Sequence, residues 1–332
     1  VPALVALVVL YGANLIAVKV FGEMEFWFAL IKVVAIIMLI VLGLAVITFN
    51  IGALGQTASF SNLWSHGGFM PMGFVGVVFT LQIALFAYTG VELIGVTAGE
   101  AQNPQEVLPK ATNSVIYRIL IFYIGALLIL MSLIPWNQLD PKISPFILVF
   151  EKMGIPYASG IINFVVLTAA ASACNSGIFS TGRMLYTLAQ FGHAPKALGK
   201  VSSQHVPATA ITVTAIIMLI SVALNYIVPE EVFAYITSVA TVGAIWTWGI
   251  IVWAHLGYRK AVREGRAEPV FFRLPGAPYS NWFVLAFLFL GSVFLAFDES
   301  TRVALYVAPA WFILLTIGFR MVKSPDQEAI RA

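Results

Sequence analysis

Apolar residues along this chain gather into runs of about twenty, enough for a helix rising about 1.5 Å per residue to cross about 30 Å of hydrocarbon. Nine such runs stand out, over about 3–20, 26–48, 74–97, 116–135, 158–190, 208–227, 234–257, 282–297 and 303–322. Helix breakers fall between them: Asn103-Pro104 with Pro109, Pro135, Pro141 with Pro145, Pro195 with Pro207, Pro229, and the stretch from Pro269 to Pro278. No connector is long enough for a soluble domain, so residues 1–332 are expected to form a single transmembrane unit. The pattern predicts an all-α, polytopic membrane helical bundle. The first run opens at Val1 with neither a basic start nor a small-residue cleavage site, unlike a signal peptide. The expectation is a fragment whose upstream sequence is missing.

Composition sharpens the class. Hydrophobic residues make up 60% of the chain and charged residues 10%, where a soluble chain carries about a quarter charged. The one cysteine, Cys174, permits neither an intrachain disulfide nor a cysteine metal cluster. Zinc-type His/Cys spacing, a phosphate-cradling loop and nucleic-acid motifs are all missing from the sequence, so no metal, cofactor or nucleic acid is expected. A membrane enzyme would need a nucleophile and base clustered near one interface, and the sequence offers none. The net charge of +3 is explained by where the cations fall. With the first run passing inward, fourteen Lys and Arg lie on the inner side, against Lys142, Lys152 and Arg302 outside and Lys32 within a span. Cytoplasmic loops retain such residues. The expected orientation leaves the C-terminus in the cytoplasm.

Candidate chemistry sits where the apolar pattern is interrupted. The third run contains Phe86-Ala87-Tyr88-Thr89-Gly90-Val91-Glu92, a helix-weakening glycine and a carboxylate two residues apart. Lipid offers no water to satisfy freed backbone groups, so such a break survives only where it lines a cavity or packs on protein. Broken helices of this kind build substrate sites in many secondary transporters. Glu92 is then a group that exchanges a proton or orders the broken backbone, or an acid tying two helices together. Phe86 and Tyr88 either pack as core aromatics or close over a ligand.

Lys32 lies seven residues beyond Glu25, about 10 Å along the axis. Its stem either snorkels to the interface or its ammonium faces the bundle, where it needs backbone carbonyls or an acid. In the fifth run Thr168, Ser172 and Asn175 share one helical face, beside a stripe of Ser172, Ser176 and Ser180. The stripe reads as helix packing or, at Ser172 and Asn175, as the lining of an aqueous pathway. His66, His193, His205 and His255 fall in loops or at span ends, and Trp136, Trp253, Trp282 and Trp311 near the interfaces.

Three stretches together resemble a known family. Tyr88-Thr89-Gly90-Val91-Glu92-Leu93 with Ala98-Gly99-Glu100 and Asn103-Pro104 resembles the sixth helix of the amino acid–polyamine–organocation transporters. Phe21-Gly22-Glu23-Met24-Glu25-Phe26-Trp27-Phe28 with Lys32 resembles the fifth helix of their bacterial amino acid permease branch. Ser180-Thr181-Gly182-Arg183-Met184-Leu185-Tyr186 and Gly192-His193-Ala194-Pro195 resemble the end of its eighth. The resemblance implies an inverted-repeat fold of five plus five helices with two more, here lacking about the first three. It implies that Phe86, Ala87, Tyr88, Thr89 and Gly90 contribute to substrate binding, and that Glu92 and Lys32 take part in proton coupling. The subgroup most resembled is the permeases for glycine, D-alanine and D-serine.

Import of small neutral amino acids with protons, across a bacterial inner membrane, is therefore the leading expectation. The partners implied are an amino acid, protons and the lipid bilayer. Obligate exchange, and symport of proline, threonine or 4-aminobutyrate, are the alternatives within transport. An amino acid sensor is the alternative outside it, and would call for a larger cytoplasmic tail than the residues after Arg320.

Overall fold

The computed structural model describes residues 2–16, 18–101, 103–139, 143–155, 157–204, 206–227, 232–297 and 299–321. Lys142, His205, Lys323, Arg331 and the last position of the ninth run lie outside the described residues. The protein is all-α: α1 Pro2–Ile16, α2 Val18–Phe49, α3 Gly52–Thr57, α4 Gly73–Ala87, α5 Leu93–Val96, α6 Pro104–Arg118, α7 Ala126–Leu133, α8 Pro145–Lys152, α9 Ala158–Gln190, α10 Ala208–Ile227, α11 Val232–Arg263, α12 Tyr279–Phe294 and α13 Glu299–Met321. A π-helical stretch, Ile119–Gly125, joins α6 to α7. Among the described residues, five helical stretches are long and apolar enough to cross a membrane, within α2, α9, α11 and α13 and from Pro104 through Leu133.

Several local outcomes differ from the breaker pattern. Residues 21–25, which look like a polar connector, continue α2, because Glu and Met are strong helix formers and Glu25 finds partners on a neighbouring helix. Pro104 opens α6 at its first position, where no N–H is needed, and Asn103 receives the N–H of Val107 at 3.0 Å. Pro109 is carried inside that helix. The segment after Pro141 includes α8, whose Val149 and Phe150 are buried.

Two compact units can be distinguished among the described residues: one takes 2–72 and 110–222, the other 73–109 and 223–321. The first unit packs α2, α7, α8 and α9 around Leu39, Ile129, Leu133, Val149 and Ile162, with a second cluster of Leu7, Leu10, Ile178 and Ile211. Its outer loop is tied down by Asn62, which donates to the carbonyls of Thr57 at 3.0 Å and Ser132 at 2.9 Å. The second unit packs α4, α11 and α12 around Leu85, Ile245, Leu288 and Leu295, with Trp248 against them.

Small residues set how closely helices approach in the first unit. A Cβ on Gly182 would lie 2.7 Å from Ile211 Cγ1 and 3.5 Å from its backbone, so α9 and α10 meet only because that position is bare. Gly182→Val is expected to destabilise the protein by about 1–3 kcal/mol through overpacking, read as a lowered Tm in detergent. An unchanged Tm would mean that α10 moves aside freely.

Candidate functional site

In the first unit five polar residues of α1, α2 and α9 form one connected cluster. Glu25 and Lys32 are seven residues apart on α2, so they share a face but stand two turns apart, beyond the reach of neighbouring helical pairs. Ser172 on α9 fills the interval. Lys32 Nζ donates to Ser172 Oγ at 2.7 Å, and Ser172 Oγ donates in turn to Glu25 Oε1. The other carboxylate oxygen of Glu25 accepts from Asn175 Nδ2 at 3.3 Å. Asn175 Oδ1 accepts from Asn14 Nδ2 on α1 at 2.8 Å, and the same Asn14 amide donates to the Leu10 carbonyl at 2.9 Å. Ser172, Asn175 and Asn14 are buried, while Glu25 and Lys32 are half-buried.

This arrangement joins an ammonium to a carboxylate through a hydroxyl that serves both. A hydroxyl is donor and acceptor at once, so it suits a position between a group that only donates and one that only accepts. Below the cluster Phe21 stacks on Phe179 with ring centroids 3.7 Å apart, and the Arg183 guanidinium lies 3.3 Å from the Phe179 centroid. Arg183 is the charged residue of α9, and α1 carries none.

In the second unit the third apolar run is indeed interrupted. Helix α4 stops at Ala87 and α5 starts at Leu93, with turns between. The spacing of backbone bonds tightens across this interval: Thr89 N–H reaches Phe86 at 3.0 Å and Leu93 N–H reaches Gly90 at 3.1 Å. Gly90 has φ +99°, a conformation that side-chain-bearing residues rarely adopt, so the turn depends on glycine. Glu92 holds the turn closed. Both of its carboxylate oxygens accept from the Gly90 N–H at 3.1 Å, and Oε2 also accepts from Trp248 Nε1 on α11 at 3.0 Å. Thr89 Oγ1 donates to the Phe86 carbonyl at 2.7 Å. Phe86, Tyr88 and Thr89 are half-buried and Ala87 is exposed.

The chain matches the family model described as amino acid permease over residues 1–326. It is 51% identical over 320 residues to the amino-acid permease AapA of Bacillus subtilis, covering 96% of this chain and 69% of AapA. The "Probable threonine/serine transporter YbxG" of the same organism is 47% identical over 319 residues, covering 96% and 69%. The aromatic amino acid transport protein AroP of Escherichia coli is 43% identical over 334 residues, covering 100% and 72%.

The chain belongs to the amino acid permease family.

Permeases of this family are membrane transporters and not enzymes. Sequence reasoning marked Lys32, Ser172, Asn175 and Glu92 but missed three of their partners. Glu25 was hidden because it sits with Glu23 at what looks like a polar connector. The i, i+7 spacing to Lys32 was the signal that could have found it. Asn14 and Trp248 lie 161 and 156 residues from their partners, a separation that local pattern does not reach.

The role of Glu92 at the turn can be read from one amide. Glu92→Ala removes the acceptor of Gly90 N–H, and exchange of that amide with solvent is expected to quicken at least about tenfold, the equivalent of one hydrogen bond of about 1.4 kcal/mol. Exchange at the wild-type rate would assign Glu92 no part in holding the break.

Proposed function

We propose that this permease imports small neutral amino acids together with protons, by alternating access across a bacterial plasma membrane with its C-terminus in the cytoplasm. The observation that carries the proton-coupled reading is the hydroxyl bridge from Lys32 through Ser172 to Glu25. When one exchangeable proton is held in common, the cluster is neutral overall. It then exists either as an ammonium with a carboxylate, or as an amine with a carboxylic acid. The two forms interconvert when Lys32 Nζ passes a proton to Ser172 Oγ as Ser172 passes its own to Glu25 Oε1. All three groups stay hydrogen-bonded in both forms, which is what a low-dielectric site requires.

A second proton makes the cluster singly positive and breaks this symmetry, because Lys32 and Glu25 then both donate. Gain of that proton from outside and its loss inside is the coupling event. Ser172 and Asn175 line the proton's path, and Glu92 couples the same proton cycle to the broken helix through Gly90.

Substrate recognition is assigned to the unwound segment Phe86, Ala87, Tyr88, Thr89 and Gly90. Backbone carbonyls coordinate cations in other transporters with interrupted helices, and an α-ammonium group is a cation of that kind. Phe86 then closes over the bound amino acid. The small-substrate reading, for glycine, D-alanine and D-serine, rests on the resemblance of the motifs around Asn163–Thr181. Relatives also bear names for threonine and serine transport, at 47% identity, and for aromatic amino acid transport, at 43%, and the aromatic substrate is the second reading.

Lys32→Met is expected to abolish proton-driven accumulation of labelled glycine in liposomes while leaving exchange against internal amino acid measurable. Accumulation at the wild-type level would remove Lys32 from coupling. Flux seen only against preloaded amino acid in the wild type would replace symport by exchange. In the same assay, competition by D-alanine and D-serine supports the small-substrate reading, and competition by phenylalanine instead supports the aromatic one.

A further inference from the structure

The chain leaving α11 folds back onto the helix and is pinned there. Tyr258 Oη donates to the Glu268 carbonyl at 2.7 Å and accepts from the Val270 N–H at 2.9 Å. On the other side Asn281, fully buried in the first turn of α12, donates through Nδ2 to the Val252 carbonyl at 3.3 Å and to His255 Nδ1 at 2.9 Å. The contact with the Asn281 amide holds the His255 ring in place beside the helix.

These pins enclose a cleft of about 190 Å³ lined by His255, Tyr258, Arg259, Arg263, Val270 and Arg273, among others. Three guanidinium-bearing residues thus converge on a cleft whose lining includes no carboxylate. Of the two acids nearby in the chain, Glu264 is engaged with Arg266 and with Lys260 at 3.9 Å, and Glu268 is not among the lining residues. Retention of cations on the inner side explains why the segment is basic. It does not explain why the arginines share one pocket while the neighbouring Lys260 and Arg266 pair with Glu264. Like charges gathered in this way repel one another unless an anion joins them, and the guanidinium fork matches phosphate oxygens.

Depth identifies the anion's source. Trp253 and Trp282 meet edge to face at 6.2 Å, and both are largely exposed, at 62% and 55%. Exposed tryptophans of this kind sit at the headgroup boundary. Arg259 follows Trp253 by six residues, about 9 Å along α11. The cleft therefore lies at the level of lipid phosphates.

We propose that the cleft at the end of α11 binds the phosphate of an anionic phospholipid headgroup. The cytoplasmic leaflet is the source in the orientation proposed above. Arg259 and Arg273 grip the phosphate oxygens, with Arg263 and His255 as further donors.

Native mass spectrometry of the detergent-purified protein, titrated with phosphatidylglycerol, phosphatidylcholine or inorganic phosphate, tests this. The wild-type protein is expected to retain phosphatidylglycerol at no more than a tenth of the phosphatidylcholine concentration needed for equal occupancy. R259Q/R273Q is expected to lose that preference, while K260Q/R266Q, which removes the same charge outside the cleft, keeps it. Equal retention of the two lipids by the wild-type protein, or equal loss in both variants, would overturn the site. Displacement of the lipid by an equal concentration of inorganic phosphate would overturn the lipid assignment and leave a free-anion site.

Discussion

A charged side chain inside a membrane span has no water to fall back on, and in this permease that constraint is met by one serine. Lys32 and Glu25 share a face of α2 but cannot reach each other along it, and the hydroxyl of Ser172 closes the gap. Removing that hydroxyl would leave both ends short of a partner, each at a cost of about 1–3 kcal/mol or more because both groups are ionisable. Asn175 and Asn14 extend the same logic across α9 to α1, so three helices of one unit are registered by polar contacts and not by apolar packing alone. Ser172, Asn175 and Asn14 are buried, and in a low-dielectric surrounding each of these bonds matters more.

The broken helix obeys the same rule in the other unit. Between Tyr88 and Glu92 the helical ladder is interrupted, and the carboxylate two residues beyond Gly90 folds back to take its N–H. Trp248 then anchors that carboxylate to α11 and to the core formed by Leu85, Ile245 and Leu288. Glu92 is thus both the strap of the turn and, in the proposed function, a group whose protonation would loosen it. A carboxylic acid accepts the Gly90 and Trp248 donors less strongly than a carboxylate does.

Much of this was legible in the sequence, because membrane spans advertise themselves by length and composition. The all-α class followed from apolar runs, and the interruption at Gly90 from a glycine and an acid where lipid tolerates neither. Lys32 was legible for the same reason, with backbone carbonyls or an acid as the partners it would need if it faced the bundle. What stayed hidden was the hydroxyl that joins it to Glu25. Glu23-Met24-Glu25 reads as a polar connector, whereas α2 runs through it unbroken because Glu25 satisfies its carboxylate on α9. Ser172 and Asn175 were visible as a polar stripe, but a stripe does not say whether it faces water or a partner. The structure places both in contact with Glu25. Asn14 and Trp248 gave no local signal, since their meaning comes only from residues more than a hundred positions away.

The most direct test of the bridge is a double-mutant cycle on stability, using Glu25→Gln and Lys32→Met in the wild-type background and again with Ser172→Ala. The account predicts an interaction energy between positions 25 and 32 of at least about 1 kcal/mol that disappears when Ser172 is replaced. Additive effects in the wild-type background would contradict it, as would a coupling that survives the loss of the hydroxyl.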